Sequence, residues 1–171
     1  MPKRLITDNA LVAFEVFHYM KKKTRGKRGI CAIKLDMSNA YDRVEWSFFV
    51  LVMESMGFSP EWVQRIFRCV STVSYSFIIN GQVLGLVNPS RGLRQGDPIS
   101  SYLFLLCAEA FSGLLTKAVQ EKSLHGVKIS KSTPPVSHLL FADDSVLFVR
   151  ANTQECKRLA DIISHFEFAS G

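Results

Sequence analysis

Two tight-turn signals, far apart in the chain, constrain its fold more than any other feature. Asn80-Gly81 separates the alternating run Val73–Ile79 from Gln82–Val87. An Asn-Gly pair between two such runs is the strongest short-range signal for a β-hairpin, because both residues accept the positive φ that a two-residue turn requires. Asp143-Asp144-Ser145 stands in the same way between Ser137–Ala142 and Val146–Val149, and short polar side chains of this kind close turns on their own backbone. A third apolar stretch, Ile30–Asp36, reads as a strand that ends in an acid. The sheet these segments predict is antiparallel.

Helical patterns fill the intervals. Over Thr7–Lys23 the residues Ala10, Leu11, Phe14, Phe17 and Tyr19 recur near helical spacing, Asp8 falls in the first turn, and Lys21, Lys22 and Lys23 close the run. These charges suit the helix dipole. Val44–Met56 predicts a helix stopped by Gly57, and Ser59-Pro60 opens another with a capping hydroxyl and a proline in the first turn. The loop from Ser90 to Pro98 carries Gly92 and Gly96, and a helix follows from about Ile99 to Gln120. It is apolar on nearly all sides, which predicts burial. Val127–Ile129 predicts a short strand, and a last helix covers about Thr153–Phe168. With no repeat or linker between these elements, the expected class is α+β in one domain, an antiparallel sheet with helices packed on one side.

Composition narrows the function classes. The chain has 171 residues, 47% hydrophobic, with 13 Phe, enough bulky apolar surface to offset the entropy of ordering and to exclude disorder. Cys31, Cys69, Cys107 and Cys156 form no close pair, so neither a zinc site, a disulfide framework nor a disulfide-linked partner is expected, and a reducing compartment fits. The longest apolar run, Tyr102–Leu115, contains Glu109 and falls short of the roughly 20 residues that cross a bilayer. No signal peptide follows Met1, so an intracellular protein without a membrane partner is expected. The net charge of +6 favours a polyanionic partner, because Lys and Arg at a phosphate backbone release condensed counterions.

The acids point to a chemistry. Asp36 closes the first strand, and Asp143 and Asp144 lie in the second hairpin, so the three carboxylates converge if those strands are neighbours. Mg²⁺ takes hard oxygen ligands, uses one or two protein carboxylates, and completes its shell with water and substrate phosphate. Two such ions serve phosphoryl transfer. The plain alternative is that these acids are ordinary turn and cap residues.

Three motifs decide between them. Lys34-Leu-Asp36-Met-Ser-Asn-Ala-Tyr41-Asp-Arg-Val-Glu-Trp46 resembles the first palm motif of reverse transcriptases from LINE-type non-LTR retrotransposons. The run Arg91-Gly-Leu-Arg94-Gln95-Gly96-Asp97-Pro98 resembles the second, and Phe141-Ala142-Asp143-Asp144 the third, in the family's order. Arg4–Asn9 matches a segment that precedes the first motif, and Ser137-His-Leu-Leu frames the third. The resemblance implies a right-hand polymerase palm, with residues 1–30 the end of a fingers segment and 31–171 palm. That is a single partial reverse transcriptase domain, with incomplete fingers and no thumb.

It also implies roles. Asp36, Asp143 and Asp144 would be catalytic and would hold two Mg²⁺ ions, or Mn²⁺ in their place, with the Met37 carbonyl as a further ligand. Tyr41 matches the family's steric gate against a ribose 2′-hydroxyl, where the plain alternative is core packing. Gln95 and Gly96, with Arg94, match its nucleotide-binding loop, where an ordinary helix-entry loop is the alternative. Arg91, Lys21, Lys22, Lys23, Arg25, Lys27 and Arg28 are candidates for nucleic-acid contact or a nuclear address; solvated charges explain them as well.

The activity implied is RNA-directed DNA polymerisation, with an RNA template, a DNA primer and deoxynucleoside triphosphates as partners. The competing reading is a truncated, inactive remnant that at most binds nucleic acid, since both ends look cut and the fingers, primer grip, thumb and endonuclease of relatives are missing. Asn39 stands where the family often has Lys, and Ser101 where it often has Pro.

Overall fold

The computed structural model describes residues 5–23, 29–37, 39–130 and 132–171. In chain order the elements are α1 (Ile6–Lys22), β1 (Ile30–Asp36), α2 (Ala40–Arg43), α3 (Trp46–Ser55), α4 (Pro60–Ser71), β2 (Tyr75–Ile79), β3 (Gln82–Val87), α5 (Pro98–Gln120), β4 (His138–Phe141), β5 (Asp144–Arg150) and α6 (Thr153–Ser170). They gather into two compact units. One comprises Met1–Ser38 and Phe111–Phe166, the other Asn39–Ala110 and Glu167–Gly171.

In the first unit β5 lies between β1 and β4, antiparallel to both. Its sequence, Val146-Leu147-Phe148-Val149, is apolar at every position, so both faces of the sheet must be covered. Side chains alternate across a strand. Leu147 and Val149 turn to Phe111, Leu115 and Ala118 of α5 and to Leu159 and Ile162 of α6. Phe148 turns the other way, to Ala13 and Val16 of α1, with Leu139 of β4 beside it. The expectation of helices on one side therefore describes α5 and α6, while α1 adds a cover to the opposite face. Phe17 meets Phe148 edge to face at 5.8 Å, and the Asn9 amide donates to the Leu140 carbonyl at 2.9 Å. Val127 forms an isolated bridge with Val136 rather than a full strand.

The second unit holds the first hairpin as a separate two-stranded sheet. Asn80 and Gly81 have φ of 51° and 82°, the left-handed pair that the Asn-Gly signal predicts. Its apolar residues Phe77, Ile78, Val83 and Leu86 are exposed. Ser59 caps α4, accepting from the Trp62 amide at 3.4 Å, with Pro60 in the first turn.

Three expectations are corrected. The helix predicted from Val44 begins earlier and is interrupted, because Val44 and Glu45 are extended between α2 and α3. Tertiary bonds replace helical ones there: the Val44 carbonyl accepts from the Gly92 amide at 2.8 Å, and the Glu45 amide donates to Ser170 at 2.8 Å. The helix α5 is not buried on all sides. It is long and apolar enough to pass for a bilayer span, yet Leu103, Phe104, Cys107, Phe111 and Leu115 are buried while Tyr102 and Leu105 face solvent. Finally, the second hairpin turns on Ala142-Asp143, and Asp144 already opens β5, paired with Phe141. Ser145 is fully buried instead of lying in the turn.

Phe148 is fully buried at the centre of the α1 face. Phe148→Ala is expected to cost about 3–5 kcal/mol, the usual range for a phenylalanine removed from a packed core, read as a lowered urea midpoint with unchanged slope.

Candidate active site

The pairing of β1 with β5 ends on two acids. Asp36 lies directly opposite Asp144, and the Met37 amide donates to the Asp143 carbonyl at 3.2 Å, carrying the ladder one step into the turn. Asp36, Met37, Asp143 and Asp144 are thus brought to one end of one sheet, as the sequence pattern requires. Ala142 holds the turn with φ of 50°, a left-handed conformation that is strained for a residue with a Cβ and that recurs at functional sites. Asp36 and Asp143 are exposed.

Like charges directly opposite each other in a ladder are destabilising. A neighbouring cation offsets this. Lys34 shares the strand face of Asp36 by period-two alternation and reaches diagonally across the ladder, placing Nζ 3.0 Å from Asp144 Oδ1. Its ammonium is held above the usual lysine pKa, first by the hydrogen bond to Asp144 and by that carboxylate's charge, then by the charges of Asp36 and Asp143. Lys34 is the site residue that sequence reasoning passed over. Its spacing of two from Asp36 on a strand was the available signal.

Carboxylate oxygens are the donor type that hard cations take. Among the described residues no three His, Cys, Asp or Glu side chains are gathered tightly enough to hold an ion by themselves. Facing carboxylates that wait for water and phosphate oxygens fit Mg²⁺, which seldom takes an all-protein cage.

Tyr41, Arg91, Arg94, Gln95 and Gly96 belong to the second unit. Tyr41, on α2, stacks on Phe104 with ring centroids 4.9 Å apart. The first and second motifs are joined there by hydrogen bonds to main-chain carbonyls. Leu93 donates to the Tyr41 carbonyl at 2.7 Å, and the Trp46 indole donates to the Gly92 carbonyl at 2.8 Å. Gly92 has φ of 90°, and a Cβ on it would lie 2.8 Å from the Asp42 carbonyl oxygen, so only glycine fits. Arg91 pairs with Glu45 at 3.3 Å. Beyond this clamp, Arg94, Gln95 and Gly96 are exposed and line a shallow cavity of about 390 Å³ with Asp97 and Pro98. Asp97 caps α5, its Oδ1 accepting from the Ile99 amide at 3.1 Å.

Asn39 has φ of 56°, a conformation that Asn tolerates better than most residues. That is a local reason for its presence where the family often has Lys. Lys21, Lys22 and Lys23 are exposed at the end of α1. Arg25, Lys27 and Arg28 lie outside the described residues, as does Arg4.

The family described as reverse transcriptase (RNA-dependent DNA polymerase) matches residues 2–169. The chain belongs to this family. Over 164 residues, 93% of its length, it is 26% identical to the transposon TX1 uncharacterized 149 kDa protein of Xenopus laevis, covering 12% of that protein. Over 149 residues, 87% of its length, it is 22% identical to the retrovirus-related Pol polyprotein from type-1 retrotransposable element R2 of Popillia japonica, covering 24% of that protein. A 69-residue stretch, 40% of the chain, is 58% identical to an uncharacterized mitochondrial protein of Arabidopsis thaliana and spans 57% of it. The chain therefore spans well under two thirds of each of these relatives, and its likeness to the retrotransposon proteins bears out the LINE-type resemblance. Among solved structures, telomerase from Candida tropicalis in complex with the TWJ fragment of telomeric RNA superposes with a TM-score of 0.62 at 14% identity, over 96% of this chain and 27% of that one. Apo telomerase from the same organism, truncated from its C-terminal domain, gives 0.59 at 16% identity, over 94% and 31%. The palm-like fold of this reverse transcriptase chain is thereby borne out.

The facing acids yield a prediction. Lys34→Gln removes their fixed counterion, so added Mg²⁺ is expected to raise the variant's thermal midpoint more than that of the unmodified chain. Equal shifts in the two proteins would show that Lys34 does not offset the carboxylate repulsion.

Proposed function

We propose that the chain is the palm segment of an RNA-directed DNA polymerase of a non-LTR retroelement. The observation that carries the reading is the register of β1 on β5, which sets Asp36 opposite Asp144 with Asp143 on the adjoining turn. The reaction is attack of a DNA primer 3′-hydroxyl on the α-phosphate of an incoming deoxynucleoside triphosphate. A P–O bond forms, and the bond to pyrophosphate breaks.

Asp36, Asp143 and Asp144, with the Met37 carbonyl, are the residues that would hold a pair of Mg²⁺ or Mn²⁺ ions. When bound, the ions supply charge neutralisation at the reacting phosphate and at the attacking hydroxyl. What the chain itself supplies is position. The ladder holds the two facing acids at fixed separation, and the Met37–Asp143 bond keeps the turn from swinging away. Alignment of this kind accounts for much of the rate in phosphoryl transfer, where a protein nucleophile is not needed.

Tyr41 is the group proposed to select the sugar. Its ring is fixed against Phe104, and a rigid ring rejects a 2′-hydroxyl more sharply than a mobile one. Gln95 offers amide donors, Gly96 allows close backbone approach, and Arg94 and Arg91 offer cations to triphosphate or template. The template in this reading is RNA, and Lys21, Lys22 and Lys23 are available to its backbone.

The test is extension of a DNA primer on an RNA template by the purified chain with Mg²⁺. Extension is expected, with a loss of at least about a hundredfold in the Asp143→Asn, Asp144→Asn control, the scale at which a lost charge-stabilising contact acts. A folded chain that extends nothing would overturn the reading. In the same assay Tyr41→Ala is expected to lower the preference for dCTP over CTP by about a hundredfold, the usual worth of rejecting one added hydroxyl. An unchanged ratio of kcat/KM values would assign Tyr41 to packing alone.

A further inference from the structure

Lys34 does more at the end of the β1–β5 ladder than add a positive charge to it. The register sets Lys34 opposite Val146 and Asp36 opposite Asp144. Directly opposed residues, and residues two apart on a strand, share a face of the sheet. Lys34, Asp36 and Asp144 therefore stand together on one face. Val146 offers Lys34 no charge, and the lysine reaches past it to place Nζ 3.0 Å from Asp144 Oδ1. Of the three acids it is bonded to this one, while the charges of Asp36 and Asp143 act on it from further off.

The balance of charge is specific. Asp36, Asp143 and Asp144 carry three negative charges and the Lys34 ammonium returns one, which leaves what a single divalent cation neutralises. A second divalent cation beside Lys34 would put two positive charges in excess until substrate phosphate offsets them. Without the ammonium the excess would be one. Hard divalent cations take one or two protein carboxylates each, so two of them on three acids must share, and a lysine bonded to Asp144 withholds one of the three. The hold is also reversible. The Lys34 and Asp144 side chains are 63% and 42% exposed, and an ion pair so placed is weak.

We propose that Lys34 is a positioning residue for the two-ion centre: bonded to Asp144, its ammonium stands in for one of the two divalent cations, so that the chain by itself takes up one and the second enters as Lys34 gives up Asp144. The proposal rests on the reading of Asp36, Asp143 and Asp144 as the acids that hold the ions. It adds a residue that sets how many ions they hold, acting through a carboxylate rather than on the reacting atoms.

The experiment is a titration of the purified chain with Mn²⁺, free metal being read by electron paramagnetic resonance. No nucleotide or nucleic acid is present, so the readout does not depend on polymerase activity. The variants are Lys34→Gln, Lys34→Arg, Asp144→Asn and the pair Lys34→Gln, Asp144→Asn. Lys34 is exposed, so the fold is retained, and far-UV circular dichroism checks it. Lys157→Gln, exposed on α6, controls for net charge, and the Asp143→Asn, Asp144→Asn chain supplies the background.

The unmodified chain is expected to bind one Mn²⁺ with a second held about tenfold more weakly than in Lys34→Gln, the effect of one like charge on a divalent ion about 6 Å away at the dielectric of water. Lys34→Arg keeps the charge and is expected to restore the unmodified isotherm. Most of the gain from Lys34→Gln is expected to vanish in the Asp144→Asn background, because the lysine acts through that carboxylate. Identical isotherms for the unmodified chain and Lys34→Gln overturn the proposal and leave the role of the acids intact. A full gain in the Asp144→Asn background also overturns it, since the lysine would then repel metal only through space, and so does an equal gain in Lys157→Gln. If no protein takes up Mn²⁺ above the background chain, the reading of the acids as ion ligands fails, and the stand-in fails with it.

Discussion

The antiparallel pairing of β1 with β5 is the contact on which the first unit depends. It places β5 in the middle of the sheet, where its uninterrupted apolar run can be covered by α5 and α6 on one face and α1 on the other. It also brings Asp36 against Asp144. The same ladder therefore stabilises the fold through its middle and strains it at its end, where like charges face each other across strands. Ala142 adds to that strain with a left-handed turn. Departures of this sort from local rules persist where the surrounding structure over-determines them, and here the over-determination is the doubly covered β5.

Lys34 makes the arrangement tolerable without a bound ion. An exposed lysine paired with an exposed carboxylate stabilises a protein little. Its significance lies in where its charge falls, within reach of all three acids. In the second unit an equivalent economy is visible around Gly92. The residues of the first motif hold the start of the second through the Tyr41 and Val44 carbonyls, the Trp46 indole and the Glu45 carboxylate. The exposed tip with Arg94, Gln95 and Gly96 is thus carried on a fixed base.

The two ends of the β1–β5 ladder have opposite electrostatic character. One gathers acids at a tight turn; the other holds His125 and Arg150 on the buried carboxylate of Glu155. Net charge reveals only the excess of base over acid. Position along the strands decides where it falls.

Much of this was legible in the chain because it is written in local chemistry. Asn80-Gly81, Gly57, Ser59-Pro60 and the alternation of Ile30–Asp36 act over a few residues, and their turns, caps and strands formed where turn and cap preferences predict. The order of three motifs, each read locally, carried the family. What local chemistry cannot encode is which segment meets which. The interruption at Val44–Glu45 exists because Gly92 and Ser170 compete for its backbone groups. The exposed stripe of α5, the diagonal reach of Lys34 to Asp144 and the capture of His125 and Arg150 by Glu155 likewise join residues distant in sequence. The sequence by itself determined the Asn80-Gly81 turn, the Ser59-Pro60 cap, the end of β1 and the identity of the acids. The tertiary structure alone decided that Asp36 would face Asp144, because strand pairing is a contact between distant segments whose register is set by the burial of both faces of β5.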